Sequence, residues 1–242
     1  MTPSPWFVPP RVDPNAEFRL FIFPYAGGSP AAFGKWTIEN TECWTAHYPG
    51  RGSRYSEPMI KNIPSLVEPL SRAIRPLLDK PFAFFGHSMG AVIAFELARS
   101  MRRNDLPLPK LLFASAFGAP HIPDPHPPIR TLPDDEFLAA LQKLNGTPSE
   151  LLRQPEAIQL LLPIIRADFE AIETYQYISD HPLEIPIVAI GGSHDPRVSQ
   201  ERLEGWSTQT SAGFKSHIFD GDHFFIHTEK EKILDLIQEE LT

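Results

Sequence analysis

The chain is short of cysteine, of long apolar runs and of clustered basic residues, and each shortage removes a class of protein. One cysteine, Cys43, among 242 residues excludes an internal disulfide framework and points to a reducing compartment, so a cytoplasmic location is expected. No apolar stretch approaches the roughly 20 residues that span a bilayer. The start, Met1-Thr2-Pro3-Ser4-Pro5, lacks the basic and apolar parts of a signal peptide, so neither export nor membrane insertion is expected. Lys and Arg number 22 against 30 Asp and Glu, a net charge of −8 with no basic cluster to offset it, which argues against nucleic-acid binding. There is no G-x-x-x-x-G-K-[ST] loop and no H-E-x-x-H spacing, so neither a nucleotide, a metal nor another cofactor is expected. No internal repeat is visible.

What the chain does have is proline, 27 residues of it, concentrated in connectors. The stretch 121–128 can be neither helix nor central strand and reads as a stiff loop leaving a sheet. Between the prolines, apolar runs at 18–23, 43–48, 82–85, 111–116, 185–190 and 215–219 read as strands. Helical spacing at 63–78, 91–101 and 224–241 alternates with them. This alternation predicts an α/β fold, a doubly wound and mostly parallel sheet, as one domain over 1–242 and a monomer. Cys43 opens one of the strands and is expected to be a buried, inert thiol. From about 132 to 177 the alternation stops. Helices are predicted at 134–144, 148–152, 155–162 and 164–177 with no strand between them, as in a helical lid inserted over an active site.

The most informative residues are Gly86-His87-Ser88-Met89-Gly90, set between an apolar strand and a helix. Strand, G-x-S-x-G, helix is the sequence form of a nucleophile elbow, which makes Ser88 the candidate nucleophile. A serine nucleophile needs a base and an acid to orient that base. The loop after 185–190 contains Asp195, and the loop after 215–219 contains His223, in the chain order Ser, Asp, His that this topology requires. His87 is the neighbour of Ser88 and a rival base, but adjacent residues on an elbow point apart. Asp222 is the rival acid, but adjacent side chains align poorly. Stabilising an oxyanion requires two N–H donors. Met89 follows the nucleophile, and Ala26 lies in the early loop Phe23-Pro24-Tyr25-Ala26-Gly27-Gly28, with Tyr25 as the alternative.

Taken together, these segments resemble the type II thioesterases of the α/β-hydrolase superfamily, the stand-alone editing enzymes of nonribosomal peptide and polyketide synthesis. Besides the motifs above, the resemblance rests on Tyr48-Pro49-Gly50-Arg51-Gly52, Leu132-Pro133-Asp134, Arg166-Ala167-Asp168-Phe169, Glu173-Thr174-Tyr175 and His223-Phe224-Phe225. It implies an α/β-hydrolase fold with a helical lid. It also implies hydrolysis of acyl thioesters on the phosphopantetheine arm of acyl or peptidyl carrier proteins, with the phosphopantetheine belonging to the substrate. Small acyl thioesters are further expected substrates. A medium-chain fatty-acyl carrier thioesterase, a carboxylesterase and an acyltransferase are the alternatives with the same triad. Leu161, Leu162, Phe169 and Tyr175 are candidates to line the acyl pocket. The chain departs from the family pattern at Asp222, where a glycine is usual, and in the weakly basic stretch Phe117-Gly118-Ala119-Pro120. Arg51 and Arg54 are weighed as a carrier-docking patch against solvated surface arginines, and the surface reading is preferred.

Overall fold

The computed structural model describes residues 4–8, 13, 15–144 and 155–241. The predicted helix at 148–152 lies outside them. Seven strands form one sheet: β1 (Phe7–Val8), β2 (Phe18–Phe23), β3 (Thr41–Ala46), β4 (Phe82–His87), β5 (Leu112–Ser115), β6 (Ile187–Gly192) and β7 (Phe214–Phe219). Their order is β1-β3-β2-β4-β5-β6-β7. Only β1 is antiparallel to its neighbour; every other pair is parallel.

Period-2 alternation divides each inner strand between two cores. Phe82 and Phe84 of β4 join Phe21 and Phe23 of β2 on one face, where α1 (Ile63–Ile74) and α2 (Met89–Arg103) cover them. Ala83 and Phe85 face the other way with Leu20, Ile22, Phe113 and the closing helix. Because both faces are covered, the central strands run apolar without alternation, from Leu20 to Phe23 in β2 and from Phe82 to Phe85 in β4. Full burial of each Phe contributes roughly 1.5–3 kcal/mol. Cys43 is in the second core, where burial pushes its thiol up to about 12 and leaves it unreactive.

The helical segment packs by its own small cluster. α3 (Asp134–Lys143) and α4 (Pro155–Glu173) meet through Phe137 and Leu141 against Leu162, Ile165 and Phe169. Arg166 ties the layer together: its guanidinium donates to the Arg130 and Leu132 carbonyls and the Asp134 carboxylate, and lies 4.3 Å above the Phe137 ring. Two helices were predicted on either side of Pro163, but α4 runs through it unbroken. A proline removes one helical hydrogen bond; packing of Ile164, Ala167 and Ala171 on one side and of Ile165 and Phe169 on the other outweighs that loss. The reverse holds at the end of the chain. The predicted single helix is divided at Glu229 into α6 (Phe225–Thr228) and α7 (Lys230–Leu241); a short α5 (Gln200–Glu204) precedes β7. No helix of the described residues is long and apolar enough to cross a membrane.

Candidate active site

β4 ends at His87, and the chain turns directly into α2 through Ser88, whose φ is +53° and ψ −120°. A non-glycine residue there is strained. Two close approaches enforce the turn. A Cβ on Gly86 would lie 2.2 Å from the Gly90 carbonyl oxygen, and one on Gly90 would lie 1.9 Å from the Phe23 carbonyl oxygen. Any larger residue at either position would push α2 off the sheet. Ser88 N–H donates to the Ser115 carbonyl at 2.8 Å, which anchors the turn to β5.

Asp195 and His223 reach Ser88 from the loops after β6 and β7. The His223 ring lies with Nε2 3.0 Å from Ser88 Oγ and Nδ1 2.8 Å from Asp195 Oδ2. A carboxylate can only accept, so Nδ1–H donates to Asp195 and bare Nε2 accepts the Ser88 O–H. The Asp195 carboxylate is completely buried, and its other oxygen accepts the Arg197 N–H at 2.8 Å. The two loops are pressed together: a Cβ on Gly192 would come within 2.5 Å of the Asp222 carbonyl oxygen. The rival acid has other work. Asp222 Oδ1 accepts the Phe224 N–H at 2.7 Å.

His87, the rival base, points away from Ser88 into the protein. Its Nε2–H donates to the His223 carbonyl and its Nδ1 accepts the Ser115 hydroxyl, both at 2.9 Å. Complete burial, with His223 nearby, pushes its pKa well below the usual histidine value, so it stays neutral. His87 therefore buttresses the backbone that carries His223. Its adjacency to Ser88 gives no sign of this in the sequence.

Ser88, His223, Met89 and Ala26 open into a cavity of about 390 Å³, walled by Phe117, Phe169 and Tyr175 among others. Met89 is the first residue of α2, where N–H groups have no helical partner. Neither its N–H nor that of Ala26 donates to a turn carbonyl among the described residues. Of the residues expected to line an acyl pocket, Phe169 and Tyr175 do so, and Leu161 and Leu162 do not. Tyr175 also walls a second cavity of about 730 Å³ between α1, α2 and 175–180, and its hydroxyl donates to Glu96 Oε1 at 2.7 Å.

The two arginines expected at the surface are buried. Arg54 forms a two-point pair with Glu57 and donates to the His47 carbonyl. Arg51 pairs with Asp168 at 2.6 and 2.7 Å. For Arg51 the partner lies 117 positions along the chain, so no local pattern reveals it.

A parallel sheet with a serine on its central strand-to-helix turn, and with acid and base on later loops, defines an α/β hydrolase. The family model described as "Thioesterase domain" matches residues 18–241. The chain is 43% identical to a Brevibacillus parabrevis protein named linear gramicidin dehydrogenase LgrE, over all of this chain and 94% of that protein. It is 41% identical to the gramicidin S biosynthesis protein GrsT of Aneurinibacillus migulanus, over 98% of this chain and 93% of that one. The structure of BorB, a type II thioesterase from the borrelidin biosynthetic cluster, superposes with a TM-score of 0.91 at 33% identity and full coverage of both chains. The chain belongs to the thioesterase family, among the type II thioesterases of nonribosomal peptide and polyketide pathways, and is a hydrolase acting on thioesters.

Proposed function

We propose that the chain hydrolyses acyl thioesters from the phosphopantetheine arm of acyl or peptidyl carrier proteins, through an acyl-enzyme on Ser88. The observation that carries this reading is the relay Ser88–His223–Asp195, with spacings of 3.0 and 2.8 Å, opening into the cavity. Ser88 Oγ attacks the thioester carbonyl carbon while His223 Nε2 takes its proton. Asp195 holds the ring in the tautomer that leaves Nε2 bare and stabilises the imidazolium that forms. The carbonyl oxygen becomes an oxyanion between the Met89 and Ala26 N–H groups, at the positive end of α2. The C–S bond breaks, His223 returns the proton to the leaving thiolate, and the acyl group remains on Ser88. Water then attacks that ester with His223 as base, releasing the carboxylic acid and free Ser88. The α3–α4 layer, which supplies Phe169 to the cavity wall, acts as the lid that excludes bulk water during these steps.

Ser88→Ala tests the reading. Hydrolysis of acylated carrier protein is expected to fall by at least about 10³-fold, as for other serine triads. Retention near the wild-type rate removes Ser88 from the mechanism. Running acyl-pantetheine beside its oxygen-ester analogue separates a thioesterase from a carboxylesterase, because a preference for the oxygen ester in kcat/KM contradicts the proposed substrate.

A further inference from the structure

Three motifs that resemble the family are far apart in sequence and converge in space. They are the early glycine loop with Ala26, the Arg51 loop, and Asp168 on α4. Arg51 and Asp168 form a bidentate ion pair, 4% and 1% exposed. The pair does more than neutralise itself. Asp168 Oδ2 also accepts the Gly27 N–H at 2.7 Å, and Arg51 Nη1 also donates to the Gly28 carbonyl at 3.2 Å. Below them, the Tyr48 hydroxyl donates to the Pro24 carbonyl, and its ring lies 5.2 Å beneath the Arg51 guanidinium.

The gripped segment is a tight turn. Gly28 N–H donates to the Tyr25 carbonyl at 2.8 Å, and Gly27 at the third position has φ +76°, as a type II turn demands. In a trans peptide the N–H points opposite to the carbonyl. The bond that holds the Tyr25 carbonyl inside the turn therefore turns the Ala26 N–H outward. Type I and type II turns differ by a flip of the central peptide, here the one carrying the Gly27 N–H. That N–H is the one bonded to Asp168. A Cβ on Gly27 would meet Ile165 Cγ1 at 2.8 Å, so α4 packs directly on the turn that it grips.

We propose that the buried Arg51–Asp168 pair is a positioning clamp that fixes the central peptide and the Gly28 end of the Tyr25–Gly28 turn, so that the turn keeps the Ala26 N–H in place at the oxyanion site, and so couples the placement of α4 to catalysis. Neither residue lines the cavity, so the clamp acts only through the turn. The inference rests on the thioesterase mechanism above.

The test uses two double variants of the full chain. Arg51→Met/Asp168→Leu replaces the pair with apolar side chains of similar size, a change that is often neutral for stability. It removes the acceptor for Gly27. Arg51→Met/Asp168→Asn removes the same charges but keeps an oxygen for the Gly27 N–H. The Leu variant is expected to lose about 10²-fold in kcat with KM within threefold, the signature of a lost transition-state donor. The Asn variant is expected to recover to within tenfold of wild type. Equal kcat in the two variants, or a loss confined to KM, overturns the clamp. If the Leu variant does not fold, Arg51→Lys, which keeps a cation beside Asp168 but not the second point of contact, is expected to lower kcat about tenfold at unchanged KM; full kcat overturns the clamp. Wild-type protein inactive on acylated carrier protein would instead overturn the underlying reaction.

Discussion

His87 and Ser88 are neighbours in sequence and face opposite ways, one into the protein and one into the cavity. The strained φ of Ser88 separates them. His87 is completely buried and neutral in the folded chain, but titrates near its usual value of about 6.5 when unfolded. Its pKa is lowered by folding, so the unfolded chain binds the proton first as pH falls. The stability this group contributes is fully present above about pH 6.5 and is lost progressively below it. His47 and His227 are also lowered by burial and act in the same direction. Thermal unfolding between pH 7.5 and 5 should therefore show Tm falling below about pH 6.5. His87→Gln, which keeps a donor for the His223 carbonyl but cannot titrate, should reduce the slope by up to one proton's worth, about 1.4 kcal/mol per pH unit. An unchanged slope would remove His87 from the pH dependence.

At the scale of elements, Tyr175 just beyond α4 is the partition between the cavity at Ser88 and the larger groove behind it. Tyr175→Ala should join the two spaces and move the kcat/KM optimum toward longer acyl chains in a series of acyl-pantetheines. Tyr175→Phe keeps the ring, loses only the bond to Glu96, and should leave the optimum in place. An identical chain-length profile for Tyr175→Ala and wild type would show that the partition does not limit the acyl group. The elements themselves were largely legible, because the two-core alternation at Leu20, Phe21, Ile22 and Phe23 and at 82–85 can be read directly as buried strand. Strand β3 begins two residues before its predicted start, and the helix predicted over 63–78 passes after Ile74 into a tighter turn at Arg75–Leu77, where Pro76 cannot supply a helical N–H. The passage of α4 through Pro163 was not legible, because it depends on what packs against the helix and not on local preference.

On the scale of the whole molecule, the net charge of −8 understates how little free positive charge the surface offers. Arg19 is paired with Glu42 and Asp79, Arg51 with Asp168, Arg54 with Glu57, and Arg99 with Glu96. If the carrier partner is acidic, long-range repulsion should raise KM at low salt, and screening should relieve it as the Debye length shrinks from roughly 30 Å at 0.01 M to about 8 Å at 0.15 M. KM for acylated carrier is thus expected to fall over that range while KM for acyl-pantetheine stays flat. A rise for the carrier substrate would mean that a local basic patch governs docking. By itself the sequence determined the six parallel strands, though not the antiparallel edge strand β1, as well as the elbow at Ser88 and the order in which Asp195 and His223 follow, because local periodicity, glycine sterics and chain topology are all written along the chain. Only the tertiary structure decided that Arg51 and Asp168 are buried together beneath the Ala26 turn, and that His87 supports His223. Those roles depend on which distant groups share a dry interior, where an unpaired charge or donor costs more than the fold can spare.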